Sequence, residues 1–222
     1  MSGSLVSPEV RERVRAAAEP VALSLGRLGL TPNALTVAGF LGTCLAALAA
    51  AAQAWLAAGV LLLVFGIFDL FDGALARATG RVTRFGAFLD STLDRSGENL
   101  LLAGIAIGCA QAGFTVGIVL AVLALAAASV VTYARARAES VGYRGEVGVA
   151  PRSERLAVLV VGLIVAGLLG GVGAGAGIGA SGGAAASAGQ IVLAVALGLI
   201  AVLSAVTVIQ RIVYVRRQAA KE

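Results

Sequence analysis

The chain has 222 residues, of which 59% are hydrophobic and 13% charged, with a net charge of +5. Soluble domains rarely reach that balance, whereas repeated bilayer spans produce it. The positive charge therefore points to membrane topology and anionic lipid rather than to nucleic acid, and a separate soluble domain of ordinary size is excluded.

The first thirty residues, MSGSLVSPEVRERVRAAAEPVALSLGRLGL, lack the apolar core of a signal peptide. Arg11, Arg13, Arg15 and Arg27 alternate with Val, Ala and Leu, a pattern that predicts an amphipathic helix in the membrane interface. A span needs about 20 apolar residues. Six such stretches can be drawn, at roughly 32–53, 54–78, 85–111, 114–138, 155–174 and 187–214. The expected fold class is thus all-α, a single membrane domain over residues 1–222 with a six-helix bundle at 31–216. Thr31 and Pro32 give the first span a capping residue followed by a favoured first-turn proline.

All 17 Lys and Arg lie before residue 32, at 77–95, at 135–155 or from 211 onward. With six spans these regions share one face, which the positive-inside rule makes cytoplasmic, together with both termini. Cys44 and Cys109 fall inside spans with no CxxC spacing and no histidine in the chain, and read as packing residues. The stretch from Gly170 to Gly189 is Gly- and Ala-rich and reads as an outer, flexible loop.

The segment that resists a purely structural account is FDLFDGALARATGRVTRFGAFLDSTLDR, Phe68 to Arg95. Asp69, Asp72, Gly73 and Arg77 recur at helical spacing near the end of the second span, and Gly86, Asp90 and Asp94 do so in the third. The short connection at 79–83 makes these two helices antiparallel neighbours, with four carboxylates converging at the cytoplasmic end. Asp69 lies about 21 Å of helix from Trp55 at the outer end, so it sits below the membrane surface, where ionisable residues mark function. Four converging anions require a counter-charge, and oxygen-only donors suit hard divalent cations, two Mg2+ or Mn2+. A paired-metal centre points in turn to phosphoryl chemistry.

Written as a pattern, Asp69 to Asp94 is DxxDGxxARx8Gx3Dx3D. It resembles the signature of the CDP-alcohol phosphatidyltransferases, six-span membrane enzymes that move a phosphatidyl group from a CDP-linked lipid to an alcohol and release CMP. The resemblance implies that Asp69, Asp72, Asp90 and Asp94 hold two metals, with Asp94 also the general base. It implies a CDP-lipid site at Thr31, Pro32, Asn33, Ala34, Gly73, Arg77 and Thr83, and a homodimer in the cell membrane with the active site cytoplasmic.

Arginines at the ends of the later spans bear on the acceptor. "TYARARAE", "PRSER" and Gln210-Arg211 place Arg135, Arg155 and Arg211 at the cytoplasmic mouth, and paired N–H donors suit a phosphate dianion better than a neutral alcohol. The pattern is similar to the branch that joins inositol phosphate to CDP-diacylglycerol, which implies inositol 1-phosphate as acceptor and those three arginines as its phosphate ligands. Arg137, Arg144 and Arg152 also satisfy the positive-inside rule and are not assigned to the pocket. The rival within the family is another phospholipid synthase such as the phosphatidylglycerophosphate branch, which usually carries DPxADK where this chain has DSTLDR. Outside the family the rival is a cation-coupled carrier, which the continuous acidic helices count against.

Overall fold

Two threonines begin the helices that frame the aspartates. In the computed structural model, which describes residues 8–149, 151–172 and 187–221, the Thr31 hydroxyl accepts from the Ala34 N–H at 3.2 Å and starts α2 (Pro32–Ala51). Thr83 accepts from the Gly86 N–H at 3.0 Å and starts α5 (Arg84–Gln111). Ahead of α2 lies α1 (Pro8–Arg27), and between α2 and α5 lie α3 (Trp55–Gly66) and α4 (Phe68–Ala78). The remaining elements are α6 (Thr115–Ser140), α7 (Arg152–Leu168) and α8 (Ala188–Ala219), the last opened by a Ser187–Gln190 capping box. The described residues are all helix and connection. Residues 173–186, most of the Gly- and Ala-rich stretch expected to be a loop, lie outside them, as do residues 1–7.

These bounds follow the expected spans closely, with one difference. The second stretch is interrupted at Ile67, so α3 and α4 form a 24-residue apolar run in two pieces. Four helical runs are long and apolar enough to cross a membrane: 32–51, 55–78, 115–140 and 188–219. By contrast α5 carries five charged residues in its first fifteen, and α7 is only 17 residues long.

Packing order departs from chain order. α2 contacts α5, α5 contacts α6, α6 contacts α8, α8 contacts α7, α7 contacts α3, and α3 returns to α2, which closes a ring. Its interior is filled by Ala46, Trp55, Leu62, Leu101, Ile105, Leu163 and Leu197. α2 and α5 cross closely because Gly104 and Gly108 carry no Cβ: one built there would stand 2.3 Å from the Ala47 carbonyl oxygen and 2.2 Å from that of Ala50. Small residues permit such helix contact in lipid. α1 packs on α4 through Ala18, Ala22 and Leu75, which with Leu35 and Ala74 form a second, smaller core. The outer surface exposes Leu41, Leu45, Val60, Val122, Val161, Val195 and Val202, a load of apolar surface that suits lipid as solvent.

The antiparallel pairing expected of the two acidic helices takes a different form. α4 and α5 each pack on α2 and hardly touch one another, because α2 supplies the close-packing surface of Gly and Ala to both. The gap left between them is where the site lies.

Candidate active site

The DxxDG half of the motif stands on α4 and the GxxxDxxxD half on α5, with α2 forming the floor. Asp72 is 6% exposed, yet its carboxylate is well provided for: the Thr36 hydroxyl of α2 donates to it at 2.7 Å, and the Gly73 N–H donates to its other oxygen. Asp69 reaches α2 at Gly39, where an added Cβ would stand 3.2 Å from its carboxylate oxygen. Asp90 and Asp94 project from α5 one turn apart. Asp72 lies within electrostatic range of Asp69 and Asp90, and Asp94 of the same two.

A cavity of about 280 Å³ opens between the three helices. Pro32, Asn33 and Thr36 line it from α2, Asp72, Gly73 and Arg77 from α4, and Thr83, Gly86 and Asp90 from the start of α5. Five of the seven residues assigned to the CDP-lipid site therefore line one cavity with two of the aspartates, while Thr31 and Ala34 form the capped turn at its edge. Arg77 folds back over Gly73, its guanidinium 3.2 Å from where a Cβ would be, so the missing side chain leaves room for the arginine and the cavity together. Thr36 also lines a narrow cleft that continues to Asp69, Asp94 and Arg152.

Arg152 was expected to be a flanking charge. Instead its Nη1 lies 2.8 Å from Oδ2 of Asp69 and 2.8 Å from Oδ2 of Asp94, bridging the two halves of the motif from the first turn of α7. Among the described residues no three acidic groups close into a ready cage for a metal ion. The donor set nonetheless fits hard divalent cations: four carboxylates, no histidine, and a position between two of them already taken by a positive group.

The three arginines assigned to the acceptor have different surroundings. Arg135 is exposed and pairs with Glu139 at 2.8 Å and Glu146 at 3.1 Å. Arg211 is buried in α8, donating from Nε to the Val147 carbonyl at 2.9 Å and from Nη1 to the Val131 carbonyl. Arg155 is 2% exposed and its guanidinium closes on Glu98, so in this conformation it meets a carboxylate of α5 rather than the cavity. Arg211 lies within electrostatic range of Arg135, Arg155 and Arg95 and of Glu139. Sequence reasoning passed over Thr36, Glu98 and Arg152. Thr36 and Glu98 left a signal, since Thr36 is a polar residue in the apolar α2 and Glu98 continues the four-residue spacing of Asp90 and Asp94.

The chain is similar to known proteins in both sequence and fold. A family model described as CDP-alcohol phosphatidyltransferase matches residues 29–213. An archaetidylinositol phosphate synthase of Pyrococcus horikoshii is 40% identical over 157 residues, 69% of this chain and 79% of its own length. A phosphatidylinositol phosphate synthase of Cutibacterium acnes is 40% identical over 151 residues, 67% and 73% of the two chains. The crystal structure of the Mycobacterium tuberculosis phosphatidylinositol phosphate synthase with CDP-DAG bound superposes with a TM-score of 0.74 at 30% identity, covering 89% of this chain and 92% of that one. The same enzyme in complex with manganese and citrate gives a TM-score of 0.75, again at 30% identity, over 89% and 88%. Sequence and fold thus agree from the capped turn before α2 to the arginine of α8, and the chain belongs to the CDP-alcohol phosphatidyltransferase family, as an enzyme of that class.

Proposed function

We propose that this enzyme transfers the lipid phosphate of a CDP-linked lipid, diacyl or ether, to inositol 1-phosphate, with release of CMP. The observation that carries the reading is the single cavity in which the capped α2 turn, Gly73, Arg77 and the aspartates of both motif halves meet. The acceptor follows from two supports. Relatives at about 40% identity in an archaeon and a bacterium are an archaetidylinositol phosphate synthase and a phosphatidylinositol phosphate synthase, and Arg95, Arg152 and Arg155 lie together beside Asp94, where a dianion would be held by charge-assisted hydrogen bonds.

Asp69, Asp72, Asp90 and Asp94 would hold two divalent cations, Mg2+ or Mn2+, a choice supported by the manganese in the mycobacterial neighbour. When bound, such ions neutralise a diphosphate and stabilise the charge that develops on the leaving oxygen. The chain's own residues do the rest. Thr36 and the Gly73 N–H orient Asp72. Arg77, held over Gly73 at the cavity wall, binds the diphosphate, and the turn at Thr31–Ala34 with Thr83 encloses the cytidine. Asp94 accepts the proton of the attacking inositol hydroxyl. The freed oxygen attacks the phosphorus on the lipid side, and the bridging P–O bond breaks with its electron pair leaving on CMP. Asp94 can act so only after Arg152 lets go of it. Arg135 and Arg211, with Arg155 behind them, hold the acceptor's phosphate. α2, α3 with α4, α5, α6, α7 and α8 form six spans, with α1 lying in the interface and the cavity on the cytoplasmic side.

The test is CMP release by the purified enzyme with CDP-diacylglycerol and Mg2+, comparing inositol 1-phosphate, glycerol 3-phosphate, free inositol and serine. Inositol 1-phosphate is expected to give the highest kcat/KM. A preference for free inositol overturns the phosphate-acceptor reading, and a preference for glycerol 3-phosphate moves the enzyme to another branch of the family.

A further inference from the structure

One turn beyond Asp94 on α5 stands Glu98, on the side of the helix that carries Gly86, Asp90 and Asp94. Its burial matches that of Arg155, at 2% exposure each. The two close fork to fork, Nε to Oε1 at 2.7 Å and Nη2 to Oε2 at 2.8 Å, tying α5 to the first turn of α7. A buried pair of this kind adds little net stability over apolar residues of similar volume, because desolvation offsets the attraction. Its value can therefore lie elsewhere than in net stability, although removing one partner alone leaves the other's charge buried and uncompensated.

Its neighbourhood indicates where. Arg95 and Arg152 both feel the Glu98 charge, and Arg211 feels those of Arg155 and Arg95. Arg95 donates to the Thr132 hydroxyl of α6, while the Nε atoms of Arg95 and Arg152 are buried with no hydrogen-bond partner among the described residues. Around one glutamate stand guanidiniums from α5 and α7, and Arg211 of α8 lies within electrostatic range of two of them. These guanidiniums, two of them with a buried Nε still unused, stand beside Asp94, to which Arg152 is paired.

We propose that Glu98 is the positioning residue of the acceptor site: its two-point grip on Arg155 fixes the arginine cluster in the arrangement that receives the acceptor's phosphate beside Asp94. The inference rests on the phosphorylated-acceptor reading above. Glu98 touches neither substrate and acts through Arg155. Its loss should thus be felt in one substrate's binding and leave the other's intact.

The experiment compares Glu98→Gln, which removes the charge at constant shape, with Glu98→Asp, which keeps the charge but withdraws it by one methylene. In each, the KM for inositol 1-phosphate and for CDP-diacylglycerol and the melting temperature in detergent are measured. Glu98→Gln is expected to raise the acceptor KM at least about tenfold, the loss of one charge-assisted hydrogen bond. Glu98→Asp should raise it several-fold, with the CDP-diacylglycerol KM within about twofold of wild type in both, since Glu98 does not line the α2–α4–α5 cavity. If Glu98→Gln does not fold, Glu98→Asp decides. A wild-type acceptor KM in a folded Glu98 variant, or an equal rise for both substrates, overturns the inference. Failure of the underlying reading looks different, because there the wild-type enzyme itself prefers an unphosphorylated acceptor.

Discussion

Arg152 joins Asp69 to Asp94 through a single nitrogen, which makes it a competitor for any cation those carboxylates bind. Replacing it by Ala should therefore tighten Mn2+ binding several-fold in an electron paramagnetic resonance titration, and an unchanged or weaker affinity would show that the arginine does not occupy the ion's position. Asp94→Asn should lower turnover by about 10²–10⁴-fold, the usual loss for a positioned base, while CDP-lipid still binds through the cavity that Asp72, Gly73 and Arg77 line. Retention of more than about a tenth of the rate would rule Asp94 out as the base, since a real base contributes at least about a hundredfold. The aspartates could be read from the sequence because their spacing is helical and their cost in a membrane is high. Arg152 could not, since an arginine at the end of a span satisfies the positive-inside rule whether it reaches out to headgroups or turns into the bundle. Arg155 was identified as important, but its partner Glu98 lies 57 positions away along the chain, a separation that no local pattern encodes.

Among the elements, α2 has the central place. It touches α3, α4 and α5, supplies the capped turn at the cavity's edge and carries the Thr36 that orients Asp72. Helix starts were legible, because Thr31-Pro32 and Thr83 carry capping chemistry in the side chains themselves. The break at Ile67 was not, since Gly66-Ile67 closes an apolar run and no proline marks it. The α2–α5 crossing is what sets the motif's two halves at the right distance, and Gly104 is its tightest testable point. Gly104→Ala would force a backbone shift against Ala47 and should destabilise the protein by about 1–3 kcal/mol. The comparison is Gly198→Ala on α8, where the added methyl meets only a leucine side-chain carbon at 3.9 Å. Thermal unfolding in detergent should separate the two variants. Equal melting temperatures would mean that the helices part without cost.

For the whole molecule, the distribution of charge was readable and the packing order was not. The positions of the 17 basic residues fall in four clusters between apolar stretches, and the described helices begin and end close to those clusters. That α6 packs on α8, and α7 on α3 rather than on α6, depends on which faces of similar Ala-, Val- and Leu-rich helices fit best, a matter of shape that hydropathy does not resolve. The outcome is a ring of helices with an apolar exterior and a charged, cavity-bearing end. It suits an enzyme whose lipid substrate arrives from the bilayer and whose acceptor arrives from water. An acceptor that carries its own phosphate leaves that phosphate in the lipid product. Mass spectrometry of the lipid formed from CDP-diacylglycerol and inositol 1-phosphate by the reconstituted enzyme with Mg2+ reads this directly. A phosphoinositide with two phosphorus atoms per lipid, formed in step with CMP, is expected. A product with one phosphorus atom, or CMP release with phosphatidic acid as the lipid formed, would contradict it.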